Sequence, residues 1–434
     1  MIFQTGCKSI GGVGMAKSKT YMCFDLKSFF ASVECVERGL DPFTTNLVVA
    51  DPSRGERTIC LAATPAIKAL GAKSRGRVYE IPKGIDYIMA PPRMQLYVDY
   101  SAKIYGIYLR YAAKEDIHVY SIDEIFMDAT DYMGARGLEP VDFARMVMRD
   151  VFNETGITAT CGIGTNLYLA KIALDIISKH SPEFIGVLTE ESYRQVLWDH
   201  LPLSDFWHVS RGTISRLSKL GIRTMREITL ADEKLLYKCF GVDAQLLIDH
   251  AWGRESATIA DIKAYVPQSS SVSTSQVLHE GYDVPGARLL ILEMAELLSL
   301  ELVKRGVIAG GIDISLNYSF SSDVPPAHGS IRLDAPSSST KKLLEYTGAL
   351  YDRIAVRNEP VYRLGISFYA LEPECSMQYD IFSSSQDQEK EKRLQSTLLD
   401  IKRKYGKNGI FKGMNLLDGA KTLERNTQIG GHRA

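Results

Sequence analysis

Three acidic residues stand out because of where they sit. Asp25 ends the run Tyr21-Met-Cys-Phe-Asp25, and the pair Asp123-Glu124 interrupts Tyr120-Ser-Ile-Asp-Glu-Ile-Phe-Met127. Both runs are otherwise apolar and strand-like, and a carboxylate there is costly to desolvate unless a cation or a donor compensates it. Three carboxylates supply the hard oxygen ligands that a divalent cation such as Mg2+ prefers. Adjacent strand residues point to opposite faces, so Asp123 and Glu124 reach one site only if a turn or bulge re-aims them. A turn joining two strands, with Asp25 arriving from a neighbouring strand, would do this. The plainer alternative is that each acid caps a turn or pairs with a nearby lysine.

The elements that must position these residues follow from periodicity. Strands are predicted over 21–25, 46–50, 58–62, 118–129 (interrupted by the acids) and 157–163, with helices over 29–38, 65–70, 95–111, 141–152 and 168–178. Residues 199–254 read as helical throughout, with Gly-marked turns at Gly212, Gly221 and Gly241, and a polar linker follows. Beyond it the order is β-α-β-β-α-β, a compact α+β domain of about a hundred residues. From Ser383 onward the chain is charged and poor in aromatics, so it is expected to be helical or disordered rather than core.

At 434 residues the chain exceeds the size at which one core keeps growing. Its 51 Lys plus Arg balance 52 Asp plus Glu, so any phosphate-binding surface must come from local clustering. Arg54, Arg57, Lys73, Arg75 and Arg77 form one such cluster. Seven scattered cysteines without a C-x-x-C pair suit reduced thiols rather than a disulfide framework or zinc site. No apolar run resembles a signal peptide or membrane span, which leads to a cytoplasmic expectation. Gly12-Val-Gly14 and Gly162-Ile-Gly164 lack the third glycine of a dinucleotide loop and form no Walker A motif; a turn is the reading for both.

The words Asp25-Leu-Lys-Ser-Phe-Phe-Ala-Ser-Val-Glu34, Ser121-Ile-Asp-Glu124 and Leu169-Ala-Lys-Ile-Ala173, in this order and spacing, resemble the Y-family, or translesion, DNA polymerases. The likeness is greatest to the UmuC-like branch of Gram-positive bacteria and runs from about Tyr21 into the tail. It implies an α+β multidomain, right-hand polymerase: an N-terminal extension over 1–20, a palm over 21–28 and 96–190, fingers over 29–95 and a helical thumb over 191–256. A linker over 257–267, a β-α-β-β-α-β little finger over 268–372 and a tail over 373–434 complete the arrangement.

The same resemblance assigns roles. Asp25, Asp123 and Glu124 would be catalytic and bind two Mg2+ ions, with Mn2+ able to substitute, and the backbone carbonyl of Leu26 would add a ligand. Many members have Asp where this chain has Lys27, a position that is not a principal ligand. Phe30 matches the steric gate, a flat ring that leaves no room for a 2′-hydroxyl. Lys68, Lys179 and Lys171 match triphosphate-binding positions, although the count from Lys171 to Lys179 is one residue longer than in many relatives. Leu201 to Gly221 resembles the thumb's helix-hairpin-helix, with His208 and Ser210 where glycines are usual. The polar strand 269–276 would lay hydroxyls along a DNA backbone.

Gln378-Tyr-Asp380-Ile381-Phe382 is similar to the short peptide that plugs into the replicative sliding clamp: Gln first, then an aliphatic-aromatic pair. The implied partners are primer-template DNA, deoxynucleoside triphosphates and that clamp, with accessory subunits as in some UmuC-type enzymes. The implied activity is low-fidelity, lesion-tolerant, DNA-directed DNA synthesis without proofreading, within an SOS-type damage response. The alternatives are a non-catalytic DNA- and clamp-binding damage-response protein, against which the intact acids argue, and a nucleotidyl cyclase, against which the thumb- and little-finger-like regions argue.

Overall fold

The computed structural model describes residues 19–267, 270–319, 322–374 and 385–433. The chain divides into two units, Met1–Tyr265 and Val266–Ala434. The first opens with β1 (Tyr21–Leu26) and α1 (Phe29–Val36), then β2 (Leu47–Val49), β3 (Ala62–Ala63), α2 (Pro65–Ala69) and β4 (Ile88–Ala90). Next come α3 (Met94–Tyr108), β5 (Ile117–Val119), β6 (Glu124–Asp128), α4 (Thr130–Gly134), α5 (Pro140–Thr155), β7 (Ala159–Gly164), α6 (Leu167–Ile172), β8 (Ile185–Leu188) and α7 (Glu190–Val196). Four helices, α8 (Arg211–Lys219), α9 (Met225–Leu230), α10 (Glu233–Phe240) and α11 (Asp243–Ala251), form the predicted helical region, and α12 (Ile259–Ala264) follows.

The main sheet has the order β5-β6-β1-β7-β8, with β1 antiparallel to both neighbours. Its central place explains why β1 is apolar on both faces: Tyr21 and Cys23 join a cluster with Leu167, Ala170 and Leu174 beneath α6, while Phe24 meets Tyr108 of α3 on the other side. β2, β3 and β4 make a separate three-stranded sheet. The strand expected over 58–62 is reduced to two residues and an isolated bridge between Ile59 and Arg77. The segment read as a linker begins with a helix. Thr258 and Asp261 form a reciprocal capping box at the start of α12, and Ile259 is buried in the cluster that holds Tyr21 and Phe126.

The second unit has the expected β-α-β-β-α-β order: β9 (Ser271–Tyr282), α13 (Val284–Arg305), β10 (Val307–Tyr318), β11 (Ala327–Ser337), α14 (Thr340–Ile354) and β12 (Val361–Pro373). Its antiparallel sheet has the order β11-β10-β12-β9, with Ile312, Ile314, Leu364, Ile366 and Phe368 packed in one core with Leu290, Met294, Leu343 and Tyr351 of the helices. The opposite face carries Ser273, Ser275, Ser315, Ser367 and His328.

The expectation that the tail stays out of the core needs correcting. α15 (Ser385–Tyr405), α16 (Thr422–Asn426) and the hairpin β13 (Gln428–Ile429)–β14 (His432–Arg433) close the chain. Gln395, Asn415 and Thr422 are buried. The anchor is Glu293 of α13, fully buried, whose carboxylate accepts from the Asn415 side chain at 2.9 Å and from the Lys421 and Thr422 N–H groups at 2.9 and 3.2 Å. A charged composition concealed this because the contacts are polar, made to a carboxylate that is itself inside. Glu293→Ala leaves buried N–H groups without an acceptor, at about 2–4 kcal/mol. Hydrogen exchange over 413–426 should therefore accelerate well above the rate in α14; unchanged protection of that segment would contradict the anchoring.

Candidate active site

The register of β1 and β6 sets Asp25 directly opposite Glu124. The Leu26 N–H donates to the Asp123 carbonyl at 2.9 Å, so Asp123 lies beside the end of β1. Residues 120–123 form the turn between β5 and β6, where the Tyr120 and Ser121 N–H groups both donate to the Glu124 carbonyl at 3.0 Å. The turn thus supplies the local break that lets two consecutive acids serve one end of the sheet. Asp25, 98 residues before Asp123 and 99 before Glu124, meets them through strand pairing alone.

Each acid has a different environment. Glu124 is buried; its carboxylate receives the Lys171 ammonium at 2.9 Å and the Cys23 thiol at 3.2 Å. Lys171 also pairs with Asp175 at 3.0 Å, and these acids keep it charged despite its burial. Asp123 accepts from the Ser121 hydroxyl at 2.6 Å. Asp25 has no side-chain hydrogen-bond donor among the described residues, and its carboxyl is pushed up to about 7 by burial first, then by the charges of Asp123 and Glu124. Among the described residues no three His, Cys, Asp or Glu side chains enclose an ion as they stand. Glu124 is paired instead with Lys171, a cation the chain itself provides. A donor set of carboxylates that repel one another, one of them unsatisfied, fits a divalent cation.

Lys171 reaches Glu124 because α6 lies unusually close to the sheet. Gly162 and Gly164 are not in a turn, as the sequence suggested, but in β7, where a Cβ would meet the Ala170 backbone at 2.1 and 2.2 Å. Gly186 of β8 is equally tight against the Ala173 carbonyl, at 2.4 Å. Here glycine is a matter of close approach, not of backbone conformation. α6 continues into a π-helical turn, Ala173–Ile177, and then a 3-10 turn that carries Lys179. A π-turn absorbs one extra residue, which accounts for the longer count from Lys171 to Lys179.

Phe30 is half-buried and stacks on Tyr97, with ring centroids 4.4 Å apart and planes 14° from parallel. The Tyr97 hydroxyl donates to Glu34 at 2.7 Å, and Arg93 grips the same carboxylate with two bonds of 3.0 and 2.7 Å. Arg38 adds a third partner. Burial alone would raise the Glu34 carboxyl, but these donors hold it below the ordinary range. The ring is therefore backed by a buried, charged network rather than by soft packing, whereas Phe29 is ordinary core. Lys68 of α2 donates to the Ser28 hydroxyl at 2.8 Å, beside the start of α1. In the basic region, Arg54 pairs with Asp51 and Lys73 with Glu80.

The impB/mucB/samB family profile matches residues 24–175, and the profile of that family's C-terminal domain matches 269–381, together well over half of the chain. The chain belongs to the impB/mucB/samB family. Relatives match from end to end. A Bacillus subtilis protein named UvrX, for UV-damage repair, is 28% identical over 96% of this chain and 98% of its own. "DNA polymerase IV 2" of the same organism is 28% identical over 96% and 100%, and its namesake in Halalkalibacterium halodurans 28% over 95% and 99%. A solved Y-family DNA polymerase chimera shares the fold, with a TM-score of 0.62, 20% identity and coverage of 82% of this chain and 99% of that one. This impB/mucB/samB protein thus has the α+β architecture of a Y-family polymerase.

His208 keeps a left-handed backbone (φ 65°) at a position where the resemblance has glycine, and Ser210 caps α8. Trp207 donates to the Tyr120 hydroxyl at 3.2 Å, tying that loop to the turn that carries the acids. Gln378, Asp380, Ile381 and Phe382 lie outside the described residues, as do Gly12 and Gly14.

The sequence reading missed Asp175, Tyr97 and the Glu34 network. Asp175 stands four residues after Lys171, a spacing that signals a helical ion pair. Glu34 sits on the apolar face of α1, the same anomaly that singled out Asp25. The Asp25 carboxyl gives a test. Between its ordinary value near 4 and about 7 the folded protein binds the extra proton, so stability falls as pH rises through that window, and the full penalty stands above it. With divalent ions chelated, Asp25→Asn should therefore be more stable than the parent at pH 8, by about 1–3 kcal/mol. The gain should vanish towards pH 4 in denaturant melts; a loss of stability at pH 8 would refute the reading.

Proposed function

We propose that this protein is a DNA-directed DNA polymerase of the translesion type, adding deoxynucleotides to a primer 3′ end opposite damaged or undamaged template with low fidelity and no proofreading. The observation that carries this is the pairing of Asp25 with Glu124, with Asp123 beside them, next to a stacked aromatic ring and a group of lysines. Asp25, Asp123 and Glu124, with the Leu26 carbonyl, would hold two divalent cations, Mg2+ or in its place Mn2+. Bound there, such ions supply electrophilic stabilisation of the phosphate oxygens at which charge develops.

The chain's own residues do the rest. Lys68, Lys179 and Lys171 would bind the triphosphate, Lys171 from its pairing with Glu124 and Asp175. Phe30, braced by Tyr97, forms a floor under the sugar that excludes a 2′-hydroxyl. In the family's terms, palm and fingers correspond to 21–190, the thumb to 191–256 and the little finger to 268–372. The hydroxyl-bearing outer face of the second unit's sheet suits a DNA backbone. Gln378, Asp380, Ile381 and Phe382 would dock on a sliding clamp and raise the local concentration of the enzyme at the primer end. Among the described residues no helix is long and apolar enough to cross a membrane; the proposed site of action is the cytoplasm.

Primer extension by purified protein with Mg2+ and deoxynucleotides tests the reading. Asp123→Ala/Glu124→Ala should reduce extension by at least about a thousand-fold. DNA binding without extension by the parent protein would favour the non-catalytic alternative. Phe30→Ala should raise ribonucleotide relative to deoxynucleotide incorporation by about tenfold or more; an unchanged ratio would remove Phe30 from the role of gate.

A further inference from the structure

Lys27 stands where many members of the family have an acid, and the fold gives it a definite place. Its N–H donates to the Thr158 carbonyl at 2.9 Å, and its ammonium lies 4.1 Å from the centre of the Phe184 ring. Phe184 is itself fixed. Its backbone is left-handed (φ 57°), its N–H donates to the Ser181 carbonyl at 3.1 Å and its carbonyl accepts from Cys161 at 2.9 Å. Phe43 stacks near its ring at 6.3 Å. The segment that carries Phe184 begins five residues earlier with Lys179. On the other side, the Lys68 ammonium reaches the hydroxyl of Ser28, the residue next to Lys27, at 2.8 Å.

Two lysines from separate segments therefore meet at the turn between β1 and α1, and the segment whose ring stacks on one of them begins with a third, Lys179. Lys27 and Lys68 are partly buried, and among the described residues none of the three has a carboxylate within ion-pair distance. Ser28 is the N-cap residue of α1 but makes no capping bond, so the first N–H groups of that helix also lack a side-chain acceptor. Partly buried cations without a carboxylate partner, such as Lys27 and Lys68, call for an anion with several charged groups, spread over more than one of them.

We propose that Lys27 is a triphosphate-binding residue of this chain, acting beside Lys68 and Lys179 and aimed by its stacking on Phe184. The proposal deepens the polymerase reading and rests on it. Lys27→Ala should raise the KM for deoxynucleotides about five- to tenfold while kcat stays within about twofold, and Lys27→Arg should restore most of the affinity. Binding of inorganic tripolyphosphate, followed by calorimetry without any primer, should weaken by a similar factor in Lys27→Ala. Lys27→Gln, which keeps the side chain's apolar stem, should behave like Lys27→Ala and serves if the alanine variant unfolds. Unchanged KM and tripolyphosphate affinity in a folded Lys27→Ala or Lys27→Gln protein would overturn the proposal, as would the absence of tripolyphosphate binding by the parent. Failure of the parent to extend a primer would instead sink the polymerase reading, leaving the tripolyphosphate measurement to decide Lys27.

Discussion

The pairing of β1 with β6 presses Asp25 against Glu124 at the end of a buried strand, and much of the first unit serves to make that tolerable. Like charges so close, half out of water, destabilise the fold that contains them. The chain offsets the cost with one internal cation, Lys171, set between Glu124 and Asp175. To bring Lys171 there, a helix must lie almost on the strands, and Gly162, Gly164 and Gly186 clear the space. The glycines, the lysine and the acids are thus one device, although they come from different elements.

The acids, their turn and the apolar run of β1 were legible in the sequence because the acids break a pattern: charge within apolar runs has few innocent explanations. The β-α-β-β-α-β order was legible for the opposite reason, since its periods are regular. What stayed hidden was pairing at a distance. Nothing in the local sequence says that Tyr97 lies under Phe30, that Glu34 receives two arginines, or that Lys27 meets Phe184. Gly162 and Gly164 were read as a turn because a glycine's need for space and its freedom of backbone leave the same mark in a sequence. The tail misled for a similar reason: its charged composition argues against a core, but Glu293 holds it through N–H groups and an amide, which composition does not register.

The β1–α1 turn joins two opposite electrostatic demands within a few residues. Asp25 faces Glu124 with Asp123 close by, whereas the Lys27 ammonium, two residues on, lies over the Phe184 ring. Continued as a strand, the chain would place both side chains on one face, where they would neutralise each other. The strand instead ends at Leu26, and Ser28 turns left-handed (φ 51°) before the helix begins. That break leaves Asp25 opposite Glu124 while Lys27 stacks on Phe184. The turn has a rigid support. It comes from Glu34, buried one turn along the same helix and tied to Arg38, Arg93 and Tyr97. A satisfied internal ion network thereby holds the Phe30 ring against Tyr97 by charges of its own, so that its position does not depend on how the acids and lysines near it are occupied.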